Sequence, residues 1–419
     1  MKSQARIEDI QIRAIAFHLP QFHPTAENDE WWGKGFTEWR NVTKARPLFP
    51  GHYQPHLPAD LGFYDLRLPE IREAQADLAR QHGIHGFCYY HYWFNSRRIL
   101  ERPFNEILEN GSPDFPFCLC WANENWTRRW DGGDSHILLE QKYGLDDDIE
   151  HIRSLIPAFK DPRYILVNGK PLFLVYRTEL MPDPAATAAA WQEEARKAGL
   201  SGLYLVRVEN FVGGVDPASI GFDAAVEFAP GSERNARDYY RGPLFRLFTR
   251  MGCFPTVFQD GSVTSYVSVA NRMGSLPDPN YKRFHCACPM WDNTARRNTK
   301  ASIYLGSTPA IYEHWLLTIL RRTLSRFQGD EKLVFINAWN EWAEGCHLEP
   351  DLKWGDAYLK ATQRALQVFS IEKRAAGNSD TPAKQSEWLK RLFWRASDRI
   401  SEVRQVLGII IWNIRSGKH

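Results

Sequence analysis

The chain places eight apolar runs between helical patterns, and this alternation restricts the folds open to it. The apolar runs span 12–20, 84–94, 115–126, 171–177, 203–210, 222–230, 285–294 and 333–342. Helical patterns separate most of them, at 68–83, 103–110, 147–159, 185–198, 265–273, 309–327 and 355–370. Because mostly unbroken apolar strands joined by helices are typical of buried parallel sheets, the pattern predicts an α/β fold, a (β/α)8 TIM barrel.

Two connections are longer than a barrel needs. The loop between the first strand and the first helix covers about 21–67, and an insertion of roughly 50 residues separates the sixth and seventh strands. Loops of this length inside a compact domain are usually functional. We expect the barrel to occupy 1–370, followed by a polar linker at 371–385 and a basic amphipathic helical tail at 386–419.

The tail combines basic residues with Trp388, Trp394 and Trp412 in a helical pattern. Such a helix is suited to lying on an anionic membrane surface, and equally to docking on the barrel or on a second subunit. Its apolar run at 406–414 is too short to span a bilayer. The opening residues, MKSQARIEDIQIR, show no signal peptide, so we expect a cytoplasmic protein with peripheral contact at the inner membrane.

Charge and cysteine usage exclude some classes of function. The formal net charge is +2 and the charges are interspersed, so a nucleic-acid partner is not expected. The seven cysteines are odd in number, and Cys88, Cys118, Cys120, Cys286 and Cys288 fall inside predicted strands. A disulfide framework is therefore not expected, which agrees with a reducing compartment.

Aromatic residues are abundant and cluster beside polar ones at the ends of the apolar runs. The chain has 16 Trp, 16 Tyr and 24 Phe, and dense clusters occur at 31–39, 88–94 and 121–130. Aromatic faces next to amides and charges suit a groove that binds sugars, since sugar rings offer both C–H faces and hydroxyls. The alternative for any single aromatic is a place in the core.

In a TIM barrel the functional side chains stand at the carboxyl ends of the strands. The residues found there predict a carbohydrate-binding site with these candidate substrate-binding residues: His18, Gln21, Tyr89, Tyr90, His91, Trp93, Trp121, Asn123, Glu124, Asn125, Trp126, Arg128, Tyr176, Glu209, Trp291, Asn340 and Trp342. An ion pair of Arg128 or Arg129 with Asp131 at the loop base is an equally good interpretation of that stretch.

Two carboxylates end the eighth run, which reads LVFINAWNEWAEG from Leu333 to Gly345. Glycosidic bond cleavage needs one carboxylic acid to protonate the leaving oxygen and one carboxylate as base or nucleophile. Glu341 and Glu344 meet this need, and apolar neighbours and mutual repulsion would separate their pKa values. The alternative is a pair of ordinary helix-start acids. Glu124 and Glu209 are rival candidates for the acid.

Metal and cofactor chemistry is not indicated by the spacing of the histidines or glycines. His18, His23, His85 and His91 form no His-x-x-x-His or His-Glu pair with ligand geometry. A glycine-rich phosphate cradle and an Asp-x-Asp metal pair are likewise missing at the strand ends, which argues modestly against an ordinary nucleotide-sugar transferase. Metal-dependent polysaccharide deacetylation or hydrolysis with one of these histidines is a less favoured function than histidines that are satisfied in the core or bonded to substrate. We expect no metal and no cofactor.

Several motifs together resemble the WbsX-like proteins of bacterial surface-polysaccharide gene clusters, whose domain is related to glycoside hydrolase family 99. They are FHLPQFHP (17–24), FTEW (36–39), YYHYWF (89–94), WANENWTRRWDG (121–132) and INAWNEWAEG (336–345). The resemblance covers about 12–370 and implies a (β/α)8 barrel. It also implies a retaining mechanism in which Glu341 deprotonates a sugar 2-hydroxyl to form a 1,2-anhydro sugar, and Glu344 acts as general acid and then base.

Two functions follow as hypotheses. The first is a carbohydrate-active enzyme, an endo-glycosidase or a transglycosylase or glycosyltransferase, acting on an O-antigen or capsule type polysaccharide or its lipid-linked precursor. The second is a non-catalytic carbohydrate-binding module that kept the groove. The two glutamates favour the enzyme. Both hypotheses predict an oligosaccharide or polysaccharide partner.

Overall fold

The structure is a computed structural model that describes residues 12–128, 133–210, 212–231 and 255–376. The predicted tail at 386–419 and most of the predicted linker lie outside these residues. The division of the chain into barrel, linker and tail stays a prediction. At the end of the barrel, however, the last helix runs to Ala376. It therefore includes the first six residues of the predicted linker.

Eight parallel strands form a closed ring. Numbered in chain order, they are β1 Arg13–His18, β2 Gly86–Phe94, β3 Phe117–Trp121, β4 Lys170–Val175, β5 Tyr204–Glu209, β6 Ala224–Glu227, β7 Arg283–Ala287 and β8 Leu333–Ile336. β1 closes the ring, because Ile15 pairs with Gly86 of β2 on one side and with Phe335 of β8 on the other. The predicted (β/α)8 barrel is confirmed.

Helices lie between the strands on the outside of the ring. They are α1 Pro69–Gln81, α2 Arg102–Asn110, α3 Leu145–Phe159, α4 Pro184–Lys197, α5 Tyr266–Ser275, α6 Pro309–Arg326 and α7 Ala357–Ala376. Among the described residues between β5 and β6, the one helical element is a 3-10 turn, Pro217–Ile220. Each predicted helix is present, and its ends differ from the prediction by a few residues.

Local sequence signals explain where several helices begin. Pro69, Pro184 and Pro309 stand in the first turns of α1, α4 and α6. N–H groups at these positions have no acceptor within the helix, so a proline costs no hydrogen bond there. Just before α4 and α6, Asp183 and Thr308 accept hydrogen bonds from backbone N–H groups of the first turn. These caps fix the helix starts independently of the hydrophobic pattern.

Side chains of alternate residues on β1 point in opposite directions. Phe17 faces the inside of the ring, where its ring lies 5.6 Å from that of Tyr90, 5.9 Å from Phe228 and 5.7 Å from Phe335. Because β6 lies across the ring from β1, these contacts fill the barrel interior with aromatic rings. The next residue, His18, faces α1 instead.

Irregular segments build a wall above the carboxyl ends of the strands. The long loop after β1 contains the short helices Ala26–Trp32 and Trp39–Lys44. After β6, the strand Ser262–Ser265 pairs in parallel with Ser302–Leu305, which follows β7. Described parts of both connections predicted to be long therefore stand on the face of the barrel where TIM-barrel sites are found.

The described residues contain six of the seven cysteines, and all six are buried thiols outside any disulfide. Over the same residues, none of the helices combines the length and apolar character needed to cross a bilayer.

Candidate active site

A cavity of about 610 Å³ opens at the carboxyl ends of the strands. Every strand of the ring supplies a residue to it, from the strand itself or just beyond its end: Leu19, Tyr90, Ala122, Tyr176, Asn210, Phe228, Trp291 and Asn337. Its wall adds Trp32, Trp126 and Tyr304 from the loops. The mixture of aromatic faces and amides is the one expected of a carbohydrate groove.

A short hairpin after β8 carries the two candidate catalytic glutamates. β8 ends at Ile336, and the predicted longer strand is replaced by the antiparallel pair Asn340–Glu341 and Cys346–His347. A 3-10 turn, Trp342–Glu344, joins the two halves. The side-chain amide of Asn340 bonds both the N–H and the C=O of Leu19, at 2.7 and 3.0 Å, and so ties the hairpin to β1.

Gly345 fixes the way in which the turn meets the loop after β7. Its φ of +55° lies in the left-handed region, which favours glycine. A Cβ added there would lie 2.9 Å from the carbonyl oxygen of Asp292, closer than two such atoms normally approach. The N–H of Asp292 in turn donates to the carbonyl of Glu344 at 2.7 Å. The turn and the loop are therefore in direct backbone contact.

One guanidinium binds both glutamates. The Nη2 atom of Arg296 lies 2.8 Å from a carboxylate oxygen of Glu341, and Nη1 lies 2.9 Å from an oxygen of Glu344. A third carboxylate, Glu38, lies 2.7 Å from Nη2. Because the two glutamates bind neighbouring nitrogens of one planar group, their carboxylates share a single small region of the cavity.

The three carboxylates differ in exposure. The side chain of Glu344 is 24% exposed, that of Glu341 is 9% exposed and that of Glu38 is 1% exposed. Both Glu341 and Glu344 line the cavity, whereas Glu38 lies behind Arg296 and also accepts a hydrogen bond from Asn41. Glu38 therefore holds Arg296 in place, and the two hairpin glutamates face the cavity.

Burial raises the pKa of both hairpin glutamates. The pKa of Glu341 stands well above its ordinary value because the carboxyl is buried, while the Arg296 charge opposes the shift and Glu344 adds repulsion. Burial also raises the pKa of Glu344, again against Arg296. For Arg296, burial lowers the pKa, but the three carboxylates outweigh it and raise the pKa. The pair therefore titrates as a unit and can hold one proton.

The sequence-predicted residues divide into two groups of equal size. Nine of them line the cavity: Gln21, Tyr90, Glu124, Asn125, Trp126, Tyr176, Trp291, Glu341 and Glu344. Nine others stand outside its lining: His18, Tyr89, His91, Trp93, Trp121, Asn123, Glu209, Asn340 and Trp342. For the remaining residue, Arg128, the side chain lies outside the described part of the structure, and so do Arg129 and Asp131, the other residues of the suggested ion pair.

Strand alternation accounts for the residues of β2. Tyr90 and Tyr92 face the cavity, so Tyr89, His91 and Trp93 face the helices. Tyr89 packs against Phe104 and Phe117. Tyr92 accepts a hydrogen bond from Gln21 at 3.0 Å. The predicted site includes Tyr90 but not Tyr92, although strand alternation places both on the same face.

The outward residues of β2 and β3 form a buried cluster around His151 of α3. His91 lies 2.9 Å from His151 through their Nε2 atoms, and the ring of Trp93 stacks on His151. Trp121 packs against the same imidazole from β3. These residues fasten α3 to the barrel.

His18 is also an outward residue. Its Nε2 atom lies 3.2 Å from the side-chain oxygen of Gln75 in α1, and burial lowers its pKa to about 4. A neutral imidazole packed between β1 and α1 has a structural role here, and the same alternation that places Phe17 inside the ring places His18 outside it.

Three more of the predicted residues use their side chains to hydrogen-bond neighbouring segments of the protein. Asn123 bonds both the N–H and the C=O of Arg177, at 2.8 Å each, and joins the ends of β3 and β4. Asn340 makes the equivalent pair of bonds to Leu19. Trp342 donates its indole N–H to Glu349 and so turns away from the cavity.

The two rival acids are both bound by cations. Glu124 lines the cavity and pairs with Arg177. Glu209 lies outside the cavity, where Arg207 approaches within 3.1 Å and the hydroxyl of Tyr281 donates at 2.6 Å. Neither is brought next to a second cavity carboxylate as Glu341 and Glu344 are.

Sequence reasoning did not select Arg296 or Glu38. The available signals were the basic pair Arg296–Arg297 just beyond β7 and the acid within FTEW, one of the quoted motifs. Neither signal shows that residues 258 positions apart meet at the two hairpin glutamates.

Comparison with known proteins decides the family. Residues 14–362 match the family model described as Glycosyltransferase WbsX. The chain belongs to this family. The WxcX protein of Xanthomonas campestris pv. campestris (strain B100) is 43% identical over 369 residues, which cover 87% of this chain and 51% of WxcX. This WbsX family member thus spans about half the length of the curated relatives it matches.

Solved structures resemble this WbsX family member in fold. An endo-alpha-mannosidase of glycoside hydrolase family 99 from Bacteroides thetaiotaomicron has a TM-score of 0.54 and 14% identity, over 86% of this chain and 98% of that one. A glycoside hydrolase-like protein has a TM-score of 0.50 and 14% identity, over 87% and 97% of the two chains. The resemblance identified from the sequence motifs is confirmed.

The buried carboxyl of Glu349 supports the hairpin from the side of Trp342, away from the cavity. Glu349 accepts hydrogen bonds from the indole of Trp342 at 2.6 Å, from Gln75 at 2.6 Å and from the hydroxyl of Tyr64 at 2.9 Å. Burial raises its pKa to about 7, although these donors oppose the shift.

We expect Arg296→Gln to destabilise the fold by about 3–5 kcal/mol, because Glu38 and the hairpin glutamates lose their buried counter-charge. Urea unfolding of the wild type and the variant measures the loss. The control is Arg153→Gln, which removes an ion pair to Glu194 from an arginine that is 61% exposed. Its effect should be a small fraction of that loss, and equal losses would contradict the structural role of Arg296.

Glu349 makes the stability of the fold depend on pH. Because its pKa is higher in the folded chain than in the unfolded one, its proton contributes stability below about pH 4.5, and this is lost as pH rises through about 7. The contribution is about 3 kcal/mol. Unfolding free energies measured from pH 4.5 to 7.5 should fall less steeply for Glu349→Gln than for the wild type. Parallel profiles would show that this carboxyl does not titrate as described.

Proposed function

We propose that this chain is a carbohydrate-active enzyme that cleaves or transfers glycosidic bonds of a bacterial surface polysaccharide, or of its lipid-linked precursor, with Glu341 and Glu344 as the catalytic pair. The observation that carries the proposal is the binding of both carboxylates to Arg296 at the floor of an aromatic cavity. Membership of the WbsX glycosyltransferase family supports the class of reaction.

The cavity supports a glycan as the ligand. Its volume of about 610 Å³ falls within the range of small-molecule sites. Tyr90, Trp126, Tyr176 and Trp291 supply aromatic faces, and Gln21, Asn125, Asn210 and Asn337 supply amides for hydroxyls. This combination discriminates sugars from purely apolar ligands.

The carboxylate pair supports acid and base chemistry at one pH. Two buried carboxyls that repel each other give up their protons in two steps, so one is protonated while the other is ionised. Arg296 stabilises the ionised member without accepting a proton itself. Such a pair satisfies the demand that glycosidic bond cleavage makes on the protein.

The resemblance to glycoside hydrolase family 99 supplies the order of steps. Glu341 accepts the proton of the sugar 2-hydroxyl while O2 attacks C1, and Glu344 protonates the leaving oxygen as the glycosidic bond breaks. An acceptor hydroxyl then attacks C1 and gives its proton to Glu344. The C1–O2 bond opens, and O2 takes its proton back from Glu341. Two displacements at C1 retain the anomeric configuration.

The acceptor decides between hydrolysis and transfer, because water and a sugar hydroxyl would use the same intermediate. The family description names glycosyltransferases, which favours a sugar hydroxyl. Relatives in fold at 14% identity do not bear on this choice.

Leaving-group dependence tests the roles of the two glutamates. On the natural linkage, Glu341→Gln and Glu344→Gln should each lose at least about 100-fold in rate. On an aryl glycoside of the same sugar, whose leaving group needs no protonation, Glu344→Gln should regain the first step and Glu341→Gln should not. The matched control is Glu313→Gln, which lies on α6 and pairs with Arg364.

The outcomes are distinct. Rescue of Glu341→Gln in place of Glu344→Gln would reverse the two roles. Glycan binding by every variant with no turnover by the wild type, on the host polysaccharide or on the aryl glycoside, would favour the non-catalytic binding module. Chromatography of the products in the presence of an acceptor oligosaccharide separates transfer from hydrolysis.

The location proposed for the enzyme is the cytoplasmic face of the inner membrane, reached through the basic segment 386–419. The full chain should bind vesicles that contain anionic phosphatidylglycerol and release them at high salt. Replacing Lys390, Arg391 and Arg395 by Gln should weaken binding in proportion to the charge removed. Equal binding to neutral vesicles would contradict this electrostatic contact.

A further inference from the structure

Three potential metal ligands converge beside the hairpin, on the side away from the catalytic cavity. They are His56 from the long loop after β1, and His347 and Asp351 from the segment after the turn. One ligand atom of each lies within 4.8 Å of the other two. His56 is 4% exposed, and His347 and Asp351 are each 1% exposed.

A hydrogen bond to the backbone fixes the imidazole of His347 so that the lone pair on Nε2 faces His56 and Asp351. Its Nδ1 atom lies 2.9 Å from the carbonyl oxygen of Glu349, which makes Nδ1 the donor and leaves Nε2 without a proton. Nε2 lies 2.9 Å from Nδ1 of His56 and 3.9 Å from an oxygen of Asp351. A backbone carbonyl that orients a histidine in this way is typical of metal ligands.

The carboxylate of Asp351 is also oriented. Its Oδ1 atom accepts hydrogen bonds from the N–H groups of Lys353 and Trp354, at 3.0 and 2.6 Å. Its Oδ2 atom, which faces the histidines, is buried and has no partner at hydrogen-bond geometry within the described residues. The hydroxyl of Tyr53 interacts with this carboxylate but is likewise not held at hydrogen-bond geometry. An unpartnered carboxylate oxygen in a buried site is costly unless a cation completes it.

A hydrogen bond between the two histidines does not account for this arrangement. It satisfies one nitrogen of each ring but leaves Oδ2 of Asp351 unpaired. The nearby ammonium of Lys353 is held over the rings of Tyr53 and Trp354, at 4.4 and 5.1 Å. Burial favours the neutral imidazoles that a metal requires.

We propose that His56, His347 and Asp351 form a binding site for a divalent transition-metal ion, best matched by Zn²⁺. Two imidazole nitrogens and one carboxylate oxygen are ligands that Zn²⁺ accepts in a tetrahedral site with a fourth position open. The two distances from Nε2 of His347, 2.9 and 3.9 Å, lie on either side of the roughly 3.3 Å that separates ligand atoms around one tetrahedral Zn²⁺. His56 also lines a second cavity, of about 510 Å³, which gives the ion a route in.

The site joins two parts of the active-site wall. His56 belongs to the long loop, and His347 pairs with Asn340 in the strand that leads into Glu341. The ring of His347 also stacks on that of Trp342, with centroids 3.8 Å apart. An ion bound here would fasten the loop to the hairpin that carries both glutamates, and it would take no part in bond cleavage.

Metal content and thermal unfolding of the full chain test the site directly, whatever its enzymatic activity. After dialysis against a chelator and then against Zn²⁺, the wild type should retain about one ion per chain and unfold at a temperature several degrees higher than the chelated protein. Co²⁺ in its place should give the visible absorption bands of a tetrahedral site. This readout does not depend on the folding of any variant.

Substitutions locate the ion. Asp351→Asn keeps the shape of the side chain but removes its charge, and His56→Gln removes a ligand. Each should weaken Zn²⁺ binding at least about 10-fold. His314→Gln, on the outer helix α6, is the matched control and should bind as the wild type does. A wild-type chain that retains no Zn²⁺ and shows no thermal shift, or an Asp351→Asn variant with unchanged affinity, would overturn the proposal.

Discussion

The binding of three carboxylates by the guanidinium of Arg296 is the interaction on which the site depends. Glu38 comes from the long loop after β1, Arg296 from the loop after β7, and Glu341 and Glu344 from the hairpin after β8. Three loops that share no secondary structure are thus joined through one planar cation. Because three carboxylates surround one guanidinium, the fully ionised group has more negative than positive charge, and binding a proton reduces this excess without removing it. The excess charge therefore favours the protonated carboxyl that general acid catalysis requires.

The sequence was sufficient for the fold because a closed parallel barrel leaves a strong and repeated signal. Each strand is buried on both faces and reads as an apolar run, and the starts of α1, α2, α4, α5 and α6 are marked by a proline or a capping side chain. The end of β8 was harder. Apolar residues recur beyond Asn337, at Ala338, Trp339, Trp342 and Ala343. Hydrophobicity therefore does not show that the strand stops at Ile336 and that an antiparallel hairpin begins at Asn340.

Side-chain direction limited the prediction of the site. The stretch YYHYWF contains a ring at every position, so composition alone does not separate Tyr90 and Tyr92, which face the cavity, from Tyr89, His91 and Trp93, which face the helices. Strand alternation shows that either the odd-numbered or the even-numbered residues face the cavity, but not which of the two. Here a tertiary contact decides it: Tyr90 stacks on Phe17 inside the ring. The partners of Arg296 had no local signal, because their meeting depends on how three distant loops fold.

The two hydrogen bonds between Asn340 and Leu19 lie at the seam between the first and last strands of the ring, just beyond their backbone pairing. The residues joined there stand 321 positions apart. The side-chain amide of Asn340 bonds the N–H and C=O of Leu19 as the backbone of a neighbouring strand would. Both hairpin glutamates lie beyond this seam. During synthesis, most of the barrel's residues therefore emerge before Glu341 and Glu344, and the nascent chain carries the aromatic rings of the cavity before the two carboxylates that face them. The order of the strands thus makes this carboxylate pair the last part of the cavity lining to be synthesised.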